Sequence, residues 1–154
     1  MTGETGTHIR DDTPINTVVR ETQNRHHMAI TLNENTNYRL RIQLDCDDMS
    51  SRGPLKRDCN LAQDVNVFID LNSDGRYDES ESRTPDRWPL RSSVPLGLYD
   101  YEIAIPAIDG FYTKIGSHGM RIVVKPSDEY YQKCGKTEYN EVREYTVEIA
   151  RRAA

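Results

Sequence analysis

Apolar and polar residues alternate along Tyr38-Arg39-Leu40-Arg41-Ile42-Gln43-Leu44, which is the two-residue period of a strand with one face against a core. The same period runs through Tyr99, Tyr101, Ile103 and Ile105 ahead of Pro106, and through Tyr145, Val147 and Ile149 between Glu144, Thr146 and Glu148. Met28–Leu32, Val65–Asp70 and Met120–Lys125 are shorter strand candidates. No segment carries a sustained helical stripe capped at both ends, although Asp58–Val65 has room for one helical turn. About six to eight strands, separated by Asn, Asp, Gly and Pro turns, predict an all-β fold: an antiparallel β-sandwich of jelly-roll or Ig-like type.

Composition narrows this further. The chain has 154 residues, 36% of them hydrophobic and 29% charged, which supports one core and leaves little apolar surface for a second. Residues 1–10 read as a flexible lead, 11–150 as the sandwich domain and 151–154 as a tail or linker. Twenty Lys and Arg stand against 25 Asp and Glu, a net charge of −5 without a basic cluster, so nucleic acid is not an expected partner. No apolar run reaches the roughly 18 to 20 residues that cross a bilayer, so membrane insertion is not expected either. Met1–Asp12 is polar and does not resemble a signal peptide, so an exported form has lost its signal or carries it outside this sequence.

Cys46 and Cys59 bracket a polar segment containing Arg52-Gly53-Pro54, which reads as a loop returning to neighbouring strands. A disulfide across it would stabilise the fold by about 3 kcal/mol in the chain-entropy model; the other reading is a pair of reduced thiols. Cys134 is then left single, either paired elsewhere or buried as a small apolar residue.

The most informative stretch is Asp70-Leu71-Asn72-Ser73-Asp74-Gly75-Arg76-Tyr77-Asp78-Glu79-Ser80-Glu81, which fits the calcium-loop template D-x-[DN]-x-[DN]-G-x5-E. Calcium takes six to eight oxygens, so a short loop must aim alternate groups inward. Asp70, Asn72 and Asp74 supply the first three, Gly75 permits the bend that turns the Arg76 carbonyl inward, Asp78 ligates directly or through water, and Glu81 closes the shell. The competing reading is a solvated acidic turn, since Asp, Asn, Ser and Gly are ordinary turn residues. Val65, Val67 and Ile69 make the entering element a strand, and Pro85 and Pro89 break any exiting helix. The expectation is therefore a strand-entered, EF-hand-like loop whose ion staples it to a sheet and does not drive a sensor's helix opening.

Val67-Phe68-Ile69-Asp70-Leu71-Asn72-Ser73-Asp74-Gly75-Arg76-Tyr77 resembles the "FIDWNxDGxF" signature of the GEVED domain, a family of secreted and cell-surface proteins. Ile103-Ala104-Ile105-Pro106 is similar to that family's "I-x-I-P" strand and Gly119-Met120-Arg121-Ile122-Val123 to its "RMRV" strand. Cys134-Gly135, followed by Tyr139 to Val147, resembles the "CG…GEVEDYTV" element that names the family. Within that element Glu141 matches, while Asn140 stands for Gly, Arg143 for Glu and Glu144 for Asp. The resemblance spans roughly Tyr38 to Ile149 and implies a β-sandwich in an extracellular setting; it implies no particular chemistry.

Catalytic patterns are weak. His26-His27 would point to opposite faces of a strand without zinc-ligand spacing, and Ser117-His118 lacks a nucleophile elbow. Recognition finds more support. The loops Arg83–Leu98 and Ile108–Gly119 carry Arg87, Trp88, Phe111, Tyr112 and Lys114, aromatics grouped with cations as at binding hot spots; Trp88 serves equally well as a core plug. The function expected is an extracellular, calcium-binding recognition or adhesion module for a protein or glycan ligand, within a larger secreted or surface protein. An accessory or catalytic domain of a secreted hydrolase and a proteolytically released extracellular ligand are the alternatives.

Overall fold

The structure is a computed structural model that describes residues 1–11, 23–43, 46–47, 57–58, 63–84, 98–126 and 141–153. Among the described residues eight strands follow one another: β1 (Gln23–Asn33), β2 (Thr36–Gln43), β3 (Cys46–Asp47), β4 (Arg57–Asp58), β5 (Gln63–Ile69), β6 (Leu98–Ile105), β7 (Gly116–Pro126) and β8 (Glu141–Ala150). The only helical element among the described residues is a 3-10 turn at Glu79–Glu81. The fold is all-β. The six candidate segments fall on these strands, except that Asp70 lies one residue past β5 and Leu44 lies outside the described residues; of the helical turn envisaged over Asp58–Val65, Asp58 ends β4 and Gln63, Asp64 and Val65 open β5, while 59–62 lie outside the described residues. The Val65, Val67, Ile69 alternation matches a strand better than a helix.

A four-stranded sheet has the order β1-β8-β7-β5, β2 pairs with β6, and the two-residue strands β3 and β4 pair with each other. The sheets are mixed, a correction to the antiparallel expectation: β1 runs parallel to β8, with Ile30 opposite Val147 and Leu32 opposite Ile149, and β3 runs parallel to β4. Alternation fixes which face of a strand is buried but is the same for either strand direction. A shift between Asn24 and Ala29 interrupts the β1–β8 register.

One core joins the two larger sheets. Ile30 and Leu32 of β1, Val67 and Ile69 of β5, Met120 of β7 and Tyr145, Val147 and Ile149 of β8 cluster with Tyr38 and Leu40 of β2 and Ile103 and Ile105 of β6. Period-two alternation produces this directly, because Arg39 and Arg41 leave the face that Tyr38 and Leu40 enter and bond the Asp100 carboxylate outside it. Residues 1–10, expected as a flexible lead, are packed. Thr2 bridges to His8, the Glu4 amide bonds the Thr31 carbonyl at 2.8 Å, and Ile9 is buried in the core. Next to them Asp11 accepts the Tyr145 hydroxyl at 2.8 Å and pairs with Arg25 and Arg143.

Candidate metal-binding loop

β5 delivers the chain to Asp70 at the edge of the core, and the loop 70–78 ends in the 3-10 turn carrying Glu81. The bend has a local cause. Ser73 and Gly75 both adopt positive φ, 56° and 79°, a conformation that costs glycine nothing and most residues something. Asp70 then organises the turn from its first position: Oδ1 accepts the Asp74 amide at 3.1 Å and Oδ2 the Gly75 amide at 2.9 Å. Asn72 Oδ1 accepts the Asp74 amide at 3.2 Å, and its Nδ2 donates to Asp74 Oδ2 at 3.3 Å. The Arg76 amide donates to Asp74 Oδ1 at 2.8 Å. That bond is the main reason the Asp74 carboxyl is held below the usual carboxylate range.

Glu81 folds back over the loop. Its Oε2 accepts the Leu71 amide at 2.6 Å and its Oε1 the Asp78 amide at 3.1 Å, half of a capping box closing the 3-10 turn on itself. Only 4% of Glu81 is exposed. The result is that carboxylate oxygens of Asp70, Asp74 and Glu81 lie within 4.8 Å of one another, two of the three residues buried. Three like charges at this spacing repel, the more so where water is partly excluded. The donor set is all oxygen, which suits a hard divalent cation. A carboxylate has about four lone-pair sites, so the amide bonds leave acceptor capacity on each. Asp78 is exposed and is not among the three that converge.

Several residues that fix the loop to the sheet have no signal in a metal-loop template. β7 presents His118, Met120, Ile122 and Val124 along its core-facing row, so His118, 4% exposed, occupies an inward slot beneath the loop. Its Nδ1 lies 2.6 Å from the Asp70 carbonyl oxygen and its Nε2 2.7 Å from that of Lys114. The Lys114 amide donates to the Leu71 carbonyl at 2.9 Å, and the Asp70 amide to the Gly119 carbonyl at 3.0 Å. Tyr77 pins the far side. Its ring meets Phe68 edge-on at 6.3 Å between centroids and lies under the Arg121 guanidinium at 4.3 Å. Burial first, then the nearby Glu144 carboxylate, pushes its phenol up to about 12. Arg121 in turn pairs with Glu144, which also faces His26 Nε2 at 3.2 Å. The last acidic position of the motif Asn140 to Glu144 thus holds the arginine that covers Tyr77.

Of the expected partner-binding residues, Phe111, Tyr112 and Lys114 lie in the connection between β6 and β7, which ends at Ile115 because Gly116–Gly119 belong to β7. Phe111 and Tyr112 are 70% and 71% exposed and Ile115 is 59% exposed. Arg87, Trp88, Cys59 and Cys134 lie outside the described residues. Cys46 begins β3, whose partner β4 ends one residue before Cys59. Among the described residues no helix is long and apolar enough to cross a membrane.

The sequence profile of the GEVED domain matches residues 64–148, more than half of the chain. Among curated proteins none matches the sequence. A solved sialyltransferase from Photobacterium damsela aligns at 10% identity with a TM-score of 0.28, over 84% of this chain and 18% of that enzyme. This chain therefore spans under a fifth of that enzyme's length.

Proposed function

We propose, from the premise that this chain belongs to the GEVED domain family, that it is a calcium-stapled recognition module. In this reading two sheets sharing one core make a β-sandwich, and the strand-entered loop 70–81 holds one calcium ion in an EF-hand-like manner. The observation that carries it is the convergence of Asp70, Asp74 and Glu81 within 4.8 Å in a loop built from Asn72 and the positive-φ residues Ser73 and Gly75. Asp70, Asn72, Asp74 and Glu81 would hold the ion, with the Arg76 carbonyl and Asp78 completing the shell. The ion would neutralise the carboxylates and fix the β5 end of the core, leaving the exposed Phe111, Tyr112 and Lys114 loop to engage a protein or glycan. The family resemblance supports an extracellular setting, within a larger secreted or surface protein.

Calcium that binds only the folded state adds RT ln(1 + [Ca]/Kd), about 2.7 kcal/mol at a hundredfold excess over Kd. For a domain of this size that raises the melting temperature by about 5 to 10 °C relative to chelator-treated protein. Glu81→Gln should remove most of the increment. Unchanged melting in chelator, with no calorimetric heat at millimolar calcium, refutes the reading.

A further inference from the structure

The loop between β6 and β7 exposes three large apolar side chains within five residues, Phe111, Tyr112 and Ile115. Its backbone is closed on itself. The Asp109 and Gly110 amides both donate to the Thr113 carbonyl at 3.1 Å. The Phe111, Tyr112 and Thr113 amides all donate to Asp109 Oδ1, at 2.8, 2.8 and 2.9 Å. The Lys114 amide donates to Leu71 at 2.9 Å. Every amide from 109 to 114 is thus bonded within the protein, and Thr113 is buried beneath them. An exposed loop ordinarily leaves such groups to water, and covering it then costs their hydration. The amide donors of this one have little hydration left to lose. The rings stand edge to face, 4.8 Å apart at 85°.

We propose that residues 109–115 are a preorganised anchor that inserts into an apolar cleft with a basic rim on a protein partner; this rests on the recognition-module reading above. A glycan is the poorer occupant. It needs convergent hydrogen-bonding groups around an open ring face, and here the backbone donors are consumed internally. A lipid surface is poorer too: Asp109 and Lys114 offset each other within the tip, but the segment 70–81 bonded to its base carries five carboxylates against Arg76 and stays negative with one calcium ion bound, so anionic membranes repel it. The same charges are complementary to a basic rim. Asp109 acts as a positioning residue, holding the tip in its docking conformation.

The test uses the calcium-loaded full chain against three probes: a phage library displaying protein fragments of the source genome, a glycan array, and vesicles of phosphatidylcholine with phosphatidylglycerol. The exposed variants Phe111→Ser and Tyr112→Ser should melt as the parent does. Displayed fragments should bind the parent, lose about thirtyfold in affinity to each variant as at other anchor residues, weaken with salt, and weaken about tenfold or less with Asp109→Ala, mainly in association rate. Glycan or vesicle binding abolished by the same variants overturns the proposal, as does recovery only of fragments indifferent to them, or of none. Calcium titration of the same proteins separates the two readings. If calcium binding persists while the tip substitutions change nothing, the anchor fails and the module stands; if calcium binding is absent, the module reading fails.

Discussion

Gly119→Ala tests whether the loop is held by Tyr77 as the structure has it. A methyl group at position 119 would lie 2.3 Å from the Tyr77 hydroxyl oxygen and 3.5 Å from the carbon that bears it. The first distance is impossible and the second is ordinary contact. Gly119 is not among the positive-φ residues, so the alanine backbone itself is unstrained and contributes about 0.4 to 1 kcal/mol by restricting the unfolded chain. Against this, Tyr77 must leave its slot. It loses the edge contact with Phe68, about 0.5 to 1.5 kcal/mol, the Arg121 stacking, about 0.5 to 1 kcal/mol, and part of the burial of its ring, about 1 kcal/mol. The net expectation is a loss of about 1 to 3 kcal/mol, or about 2 to 12 °C in melting temperature for a domain of this size. The assay is a double-mutant cycle by urea and thermal melts, because Tyr77→Phe removes only the clashing atom. In the Tyr77→Phe background Gly119→Ala should be neutral or slightly stabilising, a coupling of at least about 1 kcal/mol. A Gly119→Ala protein as stable as the parent, or one equally destabilised in both backgrounds, refutes the account of how the loop is pinned.

The three amides on Asp109 Oδ1, Thr113 first, hold its carboxyl below the ordinary value of 3.8. A depressed folded-state pKa gives stability that is complete above that ordinary value and is lost as pH falls through the folded one. Urea melts between about pH 2 and 5 should therefore show a shallower acid decline for Asp109→Asn than for the parent, and parallel profiles would refute this. Cys46 and Cys59 should appear as one linked peptide pair in a non-reduced digest of protein from its native source, with Cys134 linked to neither; three free thiols there would overturn the bridge.

Much of the fold is legible in particular residues. Arg39 and Arg41 between Tyr38, Leu40 and Ile42 mark both the strand and its outward face, and Val65, Val67 and Ile69 do the same for the strand that enters the loop. Strand direction is not legible: Ile30 would be buried equally well beside Val147 in a parallel or an antiparallel pair, and 116 intervening residues give no local turn to decide it. The loop's own spacing signalled Asp70, Asp74 and Glu81. Nothing local signalled His118, since a histidine opening a strand acquires its role only when β5 places the Asp70 carbonyl against it. Asp109 had a readable cue, an Asp-Gly pair two residues ahead of Tyr112, the usual chemistry of an Asx turn. The packing of residues 1–10 had little cue, because a polar composition does not reveal that one isoleucine, Ile9, fills a gap in the core.

The position of β8 bears on the order in which this chain can become a protein. It lies between β1 and β7, so the last of the described strands is an interior member of its sheet and the partner of β1. While the chain is emerging from a ribosome or a translocation pore, β1 can find no parallel neighbour until β8 arrives, and until then Ile30 and Leu32 lack Val147 and Ile149 beside them. Contacts this distant in sequence are slow to form. Of the described strands β1 thus waits longest for its sheet partner, which makes it the segment a chaperone would have to shield, and the natural place for one newly made molecule to pair wrongly with another.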